Sequence, residues 1–211
     1  MEDGEDKDVV MEELDLIRSE SMRCGNIVKD LLIFARESSA DFQKVQLHQI
    51  IERALKLVRH HLELGKISLT REFNLENDQV ICDQEQLVQA MVALMINAIE
   101  AMSEGGKLTV GTKPLDDRDP EEVQIYIKDT GVGISKEVQD KIFDPFFSTK
   151  NATKGVGLGL AVVYGIIQRH DGRIYVESQP GAGTTFFIEI PREEHSSHKQ
   201  PIDKAMVTEC L

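Results

Sequence analysis

The sequence predicts a fold of the α+β class, in which a long N-terminal helix precedes a compact unit of helices and strands. Apolar residues recur at spacings of three and four over residues 9–37, which is typical of a long amphipathic helix. A second amphipathic pattern covers residues 45–64 and ends at Gly65. Apolar and polar residues alternate over residues 123–127, which indicates a half-buried strand.

The composition excludes several classes of protein. Of the 211 residues, 41% are hydrophobic, which is enough to bury a core and excludes wholesale disorder. Lysine and arginine total 24 against 37 acidic residues, so the net charge of -13 argues against nucleic acid, and against an anionic membrane surface, as partner. The 3 cysteines are scattered without a CxxC pair, which predicts neither a zinc site nor a disulfide framework.

The sequence favours a cytoplasmic location. Its N-terminus is acidic, the reverse of a secretory signal, and its longest apolar stretch, residues 87–99, is broken by Gln89 and Asn97. No stretch reaches the roughly 20 apolar residues of a membrane span. The chain is equally compatible with the soluble part of a longer, membrane-anchored protein.

The first predicted element is the helix from about Val9 to Glu37. Its apolar stripe has heptad spacing and one polar member: Leu14, Ile17, Ser21, Cys24, Val28, Leu31 and Ala35. Because the 3.5-residue period persists, packing in a bundle or between molecules is favoured over docking on the chain's own domain. Residues 38–44 are predicted to form a linker.

A compact unit of helices and strands follows from Val45. Helices are predicted at residues 45–64, 84–103, 136–142 and 159–170. Strands are predicted at residues 67–73, 79–82, 107–112, 123–127, 172–178 and 184–190. Asp83 is the expected N-cap of the helix at residues 84–103. Residues 114–121 are expected to form an acidic loop. The polar tail, residues 192–211, is predicted to be disordered.

Two glycine clusters mark a candidate ligand site. Residues 155–161, GVGLGLA, open the last predicted helix, and N–H groups at a helix N-terminus beside a glycine loop suit a phosphate. The Rossmann and P-loop spacings are absent. Asp129 precedes TGVG at the end of a strand, where a buried carboxylate requires donors such as the exocyclic amine of adenine. A flexible loop and an aspartate in a tight turn stay open as the alternatives.

Asn97 is the third candidate. It is an uncharged polar residue within an otherwise apolar helical stretch, residues 87–102. Either it is a satisfied core amide, or its amide oxygen is a ligand for Mg²⁺ beside phosphate oxygens.

Taken together, the motifs resemble one family. Their order is Asn97, DTGVGI at residues 129–134, IFDPFFSTK at 142–150 and GVGLGLA at 155–161. They resemble the asparagine, first glycine, phenylalanine and second glycine boxes of the histidine kinase ATP-binding domain, which shares a superfamily with gyrase, the large heat-shock chaperone and the mismatch-repair ATPase. The resemblance covers roughly residues 45–191. It implies a two-layer α/β sandwich, the Bergerat ATP-binding fold, with a mixed sheet covered by helices on one face.

The resemblance implies ATP and Mg²⁺ as ligands. Asn97 would bind Mg²⁺ and bridge it to the triphosphate. Asp129 would accept a hydrogen bond from the adenine amine, and Gly131 and Gly133 would let the purine ring lie against the backbone. Thr185, in the closing strand, would line the adenine pocket.

The resemblance also implies a lid over the nucleotide, with residues 144–156 mobile when no nucleotide is bound. Lys150 would approach the phosphates as a point charge. Gly155, Gly157 and Gly159 would form the hinge and offer N–H donors. Three phenylalanines would either anchor this lid or serve as plain core aromatics: Phe143, Phe146 and Phe147.

The N-terminal helix belongs to the same resemblance. Residues 21–36 resemble the second helix of the dimerisation and phosphoacceptor hairpin of sensor histidine kinases. The chain then divides into residues 1–40, part of that hairpin; 45–191, the catalytic domain; and 192–211, the tail. The helix with the phosphoacceptor histidine is missing, so a histidine-bearing hairpin helix would be a separate partner. A response regulator receiver domain and, for the full-length protein, a homodimer are also implied.

Ala93 departs from the family pattern. Histidine kinases usually carry a second asparagine four residues before Asn97, and the ATP-hydrolysing relatives carry a water-activating glutamate there. Ala93 therefore predicts inefficient ATP hydrolysis and leaves the strength of Mg²⁺ binding open. Two alternatives are a serine/threonine kinase of the same superfamily and a nucleotide-sensing module without catalysis. The preceding helix disfavours the anti-sigma type of the first, and the intact glycine boxes oppose the second.

Overall fold

The computed structural model describes residues 41–116, 119–149 and 157–192, together with part of the predicted N-terminal helix. The described residues of that helix are all helical and exposed: Val10, Met11, Glu13, Leu14, Ile17, Arg18, Ser21 and Gly25. The predicted helix is therefore present in part. The rest of residues 1–40, and the predicted tail after Arg192, lie outside the described residues.

Seven strands and four helices make up the described ranges. The strands are β1 Gln43–Gln46, β2 Ile67–Phe73, β3 Gln79–Cys82, β4 Gly106–Asp116, β5 Asp119–Lys128, β6 Arg173–Gln179 and β7 Gly183–Pro191. The helices are α1 Leu47–Leu64, α2 Gln84–Glu100, α3 Lys136–Gln139 and α4 Gly159–Arg169. Apart from β1, each element overlaps a segment predicted from the sequence.

The strands β2, β4, β5, β7 and β6 lie side by side, in that order, in a 5-stranded mixed sheet. β2 and β4 run parallel, whereas the other neighbours are antiparallel. β1 and β3 form a separate antiparallel pair. Helix α2 packs against both α1 and α4, and all three helices contact the sheet. The predicted two-layer α/β sandwich is confirmed.

The core lies between these helices and one face of the sheet. The strands bury the following residues almost completely: Leu108, Val110, Ile125, Ile127 and Ile188. The helices bury Ile51, Val58, Leu87, Leu94 and Ile167 opposite them. On the other face of the sheet Tyr175 is 38% exposed. Burying each large aliphatic side chain stabilises the fold by about 1.5–3 kcal/mol. The packed core between the helices and the sheet therefore fixes the position of the strand ends that carry the site.

Residues 43–46 form a strand where the sequence predicts the end of a linker and the start of a helix. Val45 pairs with Val80, and the helix begins at Leu47. Asp78 caps this helix, because its carbonyl accepts the Leu47 N–H at 2.8 Å and its Oδ2 accepts the His48 N–H at 3.0 Å. The cap comes from a residue that is distant in the sequence, so no local signal marks the boundary.

The acidic loop predicted at residues 114–121 is wrong, because two strands extend into it. β4 continues to Asp116 and β5 begins at Asp119. Pro114 pairs with Val123, and the register shifts between Pro114 and Asp116. Proline is tolerated at such an irregularity because no ladder hydrogen bond needs its missing N–H.

Helix α2 has the predicted cap, since the Asp83 Oδ1 accepts the Gln86 N–H at 3.1 Å. It ends at Glu100, before the predicted Ser103. The Met102 N–H bonds the carbonyl of Ile99, which closes a tight turn although the apolar pattern continues.

Among the described residues, no helix has both the length and the apolar character needed to cross a bilayer.

Candidate functional site

Asp129 lies directly after β5 and is only 2% exposed. Its Oδ1 accepts the N–H of Gly131 at 2.8 Å and the N–H of Thr184 at 3.1 Å. Burial raises the pKa of this carboxyl, and the two N–H donors oppose that shift. Both hydrogen bonds that the described residues give this side chain end on Oδ1. The Oδ2 atom is therefore available as an acceptor for a ligand.

The turn after Asp129 is packed between two pieces of backbone. A methyl group at Gly131 would lie 2.5 Å from the carbonyl oxygen of Ala101, at the end of α2. Gly133 has φ +65°, and a methyl group there would lie 2.1 Å from the carbonyl oxygen of Gln179. The Val132 N–H also donates to Ala101 at 3.2 Å. Only glycine fits both positions, because neighbouring backbone fills the space of a side chain.

Asn97 stands one turn before this contact, because the Ala101 N–H bonds the Asn97 carbonyl at 3.1 Å. Its side chain is half-buried, and so is that of Ala93 one turn earlier. The two residues share a face of α2, since they are four residues apart. The end of α2 contacts the Asp129 turn, so Asn97 lies at the edge of the same site.

The closing strand brings Thr184, not Thr185, to Asp129. Asp129 and Thr184 bond each other, because the Asp129 N–H also donates to the Thr184 carbonyl at 2.8 Å. Thr184 is 6% exposed, and Phe186, on the same side of the strand, packs in the core. Thr185 pairs with Lys128 and points to the opposite face. Thr184 and Thr185 are adjacent and of the same type, so the sequence does not distinguish them, and only strand register decides which one faces Asp129.

The phenylalanine segment is tied to the start of α4. Gly157 has φ +73°, and its carbonyl accepts the Phe146 N–H at 3.0 Å. Phe143 packs on the core, with its ring centroid 6.4 Å from that of Phe186. Phe147 is also packed against the core, whereas Phe146 is 66% exposed with φ +67°. Two of the three predicted lid anchors are therefore core aromatics.

The N-terminus of α4 is open. Leu158, its N-cap, makes no side-chain cap, and a methyl group at Gly159 would meet no atom within 4 Å among the described residues. The first N–H groups of a helix have no partner within the helix, so they can bind an anion. Lys150 and Gly155, which the sequence also assigns to the phosphates, lie outside the described residues.

The residue types around Asp129 and Asn97 suit the binding of a nucleotide together with Mg²⁺. Within the described ranges, no group of three or more histidine, cysteine, aspartate or glutamate residues could hold a metal ion alone. Mg²⁺ beside phosphates commonly takes one or two protein oxygens and completes its shell with phosphate oxygen and water. The amide oxygen of Asn97 is of that type.

Curated relatives of this chain are histidine kinases. Sporulation kinase E of Bacillus subtilis is 31% identical over 185 residues, which cover 88% of this chain and 24% of that kinase. The signal transduction histidine-protein kinase AtoS of Escherichia coli is 36% identical over 183 residues, which cover 87% of this chain and 28% of that kinase. The chain thus spans less than a third of the length of either relative.

Solved structures of histidine kinase ThkA share the fold. Its catalytic domain matches with a TM-score of 0.64 at 31% identity, covering 72% of this chain and 96% of that chain. ThkA in complex with the response regulator protein TrrA matches with a TM-score of 0.70 at 30% identity, covering 84% of this chain and 50% of that chain.

A family match agrees with these relatives and includes the site. Residues 82–194, more than half of the chain, match the description "Histidine kinase-, DNA gyrase B-, and HSP90-like ATPase". The matched range begins just before α2 and ends after β7, so it contains Asn97, the Asp129 turn and the start of α4. The chain belongs to the family of histidine kinase-, DNA gyrase B- and HSP90-like ATPases.

Proposed function

We propose that this chain is the ATP-binding catalytic part of a two-component sensor histidine kinase. The buried Asp129 carboxylate is the observation that carries the proposal. Its Oδ1 is held by two backbone N–H groups, and its Oδ2 is left as an acceptor. An acceptor in this position matches the 6-amino group of adenine and opposes the 6-carbonyl group of guanine.

The remaining contacts of the nucleotide follow from the elements around Asp129. Thr184 takes the adenine-pocket role first assigned to Thr185, because Thr184 is bonded to Asp129. The base lies beside the turn at Gly131 and Gly133, where Val132 is 67% exposed and offers apolar contact. Base stacking or apolar contact at this rim adds affinity without selecting the base.

The phosphates lie toward the start of α4. The N–H groups at Gly157 and Gly159 supply donors, and the helix dipole favours negative charge there. By resemblance Lys150 and Gly155 contribute to the same end of the nucleotide. Asn97 would hold Mg²⁺ through its amide oxygen, and the ion would supply positive charge that offsets the phosphate charge during transfer.

The reaction is transfer of the γ-phosphoryl group of ATP to a histidine imidazole, and then to an aspartate of a response regulator. The acceptor histidine belongs to a hairpin helix of a kinase, as the sequence resemblance implies. The complex of ThkA with the response regulator protein TrrA supports a receiver domain as partner. A homodimer of the full-length protein and a cytoplasmic location complete the proposal.

The test has two steps. Calorimetry of the full chain with ATP, with and without Mg²⁺, measures the binding. The chain and γ-labelled ATP are then incubated with an isolated hairpin that carries a phosphoacceptor histidine. We expect Mg²⁺-dependent binding and an acid-labile label on the hairpin, because phosphohistidine is lost in acid. Acid-stable label indicates a serine/threonine kinase, and binding without transfer to any hairpin indicates a nucleotide-sensing module; either result contradicts the proposal.

A further inference from the structure

The hydroxyl of Ser178, in β6, connects three segments around the Asp129 turn. It accepts the backbone N–H of Ile134 at 2.9 Å. It lies 2.9 Å from the backbone carbonyl oxygen of Gly183 and 2.9 Å from the hydroxyl of Thr184. Nothing in the family resemblance or in the nucleotide contacts assigned above uses this residue.

The positions of the protons follow from these partners. A serine hydroxyl has one proton to donate and two lone pairs that accept. The carbonyl of Gly183 can only accept, so it takes the Ser178 proton. The Ile134 N–H can only donate, so it occupies one lone pair. All three bonds are satisfied only when the Thr184 hydroxyl donates to the second lone pair.

Thr184 consequently has no proton left for a ligand. Its own hydroxyl proton points to Ser178, and its Oγ1 presents only lone pairs elsewhere. The backbone N–H of the same residue holds Asp129 Oδ1. Asp129 and Thr184, at the ends of the neighbouring strands β5 and β7, therefore both have side-chain oxygens that can only accept a further hydrogen bond.

Neighbouring contacts hold Ser178 in place. The side-chain amide of Gln139 donates to the carbonyl oxygens of Ser178 at 2.9 Å and Ile134 at 3.1 Å. A methyl group at Gly183 would lie 2.1 Å from the carbonyl oxygen of Asp129, so the strands approach closely here. Ser178 is half-buried between them and has little rotational freedom.

We propose that Ser178 is a positioning residue for base recognition. It accepts the proton of the Thr184 hydroxyl, so that this hydroxyl cannot donate to the nucleotide. This arrangement strengthens the selection of adenine over guanine. This inference rests on the proposed function, in which Asp129 faces the 6-position of a purine. With Ser178 present, both side chains at that position accept. Without it, the Thr184 hydroxyl rotates and can donate to the 6-carbonyl of guanine.

The experiment compares ATP and GTP binding to the full chain by calorimetry and by displacement of a fluorescent ATP analogue. Ser178→Ala is expected to weaken ATP binding about three- to tenfold. This is the effect of losing one neutral hydrogen bond, because the Thr184 oxygen is then no longer held as an acceptor for the adenine amine. GTP binding weakens less or improves, so the ATP-to-GTP affinity ratio falls. Ser178→Thr keeps the hydroxyl and is expected to retain most of the ratio.

Ser68→Ala is the matched control. Its hydroxyl also donates to a backbone carbonyl, that of Gly106, but from the edge strand β2. We expect its ATP-to-GTP ratio to equal that of the unaltered chain. A merely structural Ser178 would lower the melting temperature while leaving the ratio unchanged, and that result would overturn the inference.

Two further outcomes keep the inference and the proposed function separate. If the unaltered chain binds no ATP, the proposed function fails and the inference falls with it. If it binds ATP but Ser178→Ala does not fold, Ser178→Cys replaces it, because a thiol keeps the shape of the side chain but is only a weak acceptor for the Thr184 hydroxyl. An unchanged ATP-to-GTP ratio in Ser178→Cys overturns the role of Ser178 alone, and a lowered ratio supports it.

Discussion

The imidazole Nε2 of His170 accepts the backbone N–H of Asp83 at 3.0 Å. This bond joins the C-terminal end of α4 to the N-cap of α2, the helix that carries Asn97. The other ring nitrogen, Nδ1, donates to the carbonyl of Ile166 at 2.8 Å, so the ring is neutral with its proton on Nδ1. The ring of Phe42 packs 5.1 Å from it.

We expect this buried histidine to make stability depend on pH. Burial lowers the pKa of His170, and the nearby Arg169 acts in the same direction, while the Asp83 carboxylate opposes the shift. Below about pH 6.5 the His170 ring binds a proton in the unfolded chain but stays neutral in the folded chain. The free energy of unfolding therefore falls as the pH falls. The slope from this group is at most about 1.4 kcal/mol per pH unit.

Urea unfolding from pH 7.5 to pH 5.5 measures this slope. His170→Gln has no titrating ring and should show a smaller decrease than the unaltered chain. His60→Gln, on the exposed face of α1, is the control and should keep the original slope. Equal slopes in all three proteins would contradict a neutral buried imidazole at position 170.

Asp129→Asn should weaken ATP binding about ten- to hundredfold, because the amide can turn a donor toward the adenine amine and leaves a buried bond unmet at a cost of about 1–3 kcal/mol. Since burial raises the pKa of Asp129, affinity for ATP should also fall as acid protonates the carboxylate. Calorimetry measures both effects. Asp140→Asn, which removes an exposed carboxylate at the end of α3, should leave the affinity unchanged. Unaltered binding by the Asp129 variant would refute the assigned contact.

Gly133→Ala should destabilise the fold far more than Gly181→Ala. Both glycines have a positive φ, +65° and +80° respectively, so both variants bear backbone strain of about 1–2 kcal/mol. Only at Gly133 does the new methyl group meet backbone, at 2.1 Å from the carbonyl oxygen of Gln179. Thermal unfolding of the two variants compares the cases, and equal losses would show that the clash is relieved by movement of the turn.

The chain alone should show negligible ATP turnover and no stable label from γ-labelled ATP. Ala93 offers no group to activate water beside Asn97, and by resemblance none of the 6 histidines stands in a phosphoacceptor context. Release of inorganic phosphate and label retained on the chain are the two measurements. A turnover comparable to that of the ATP-hydrolysing relatives would mean that another residue does the work of the missing glutamate.

The N-terminal helix should make the chains associate. Among its described residues, Leu14 is 54% exposed and Ile17 is 62% exposed, on the stripe with heptad spacing. Removing apolar surface from water contributes about 25 cal/mol per Å², so pairing of the stripes is favourable. Sedimentation over a concentration series should show growth in mass, and Ile17→Glu should reduce it. A strict monomer at every concentration would contradict this prediction.

Local signals explain which parts of the fold were predictable. The Asp83 cap and the alternation over residues 123–127 are features of a few adjacent residues. The helix begins directly after Asp83, and β5 includes residues 123–127, as the sequence predicts. The boundary at Leu47 depends on Asp78, and β4 extends past Pro114 because it pairs with β5. Such partners are distant in the sequence and are set by tertiary contacts.

The candidate site divides in the same way. Asp129, Gly131 and Gly133 are recognisable from their residue types and spacing, and the turn that they form lies against the end of α2. The distinction between Thr184 and Thr185 requires the register of β7 against β5, which no single-strand pattern contains. Ser178 gave no signal, because an isolated serine in a strand has many uses and its role depends on three partners from other segments.

The parallel pairing of β2 with β4 has a kinetic consequence. β3 and α2 lie between these two strands in the chain, whereas β4–β5 and β6–β7 are neighbours in sequence as well as in the sheet. Closing a long loop costs more chain entropy than closing a hairpin, and nonlocal contacts slow folding. We expect the two hairpins to form early on the refolding pathway and β2 to join the edge late, so substitutions in β2 should mainly speed unfolding.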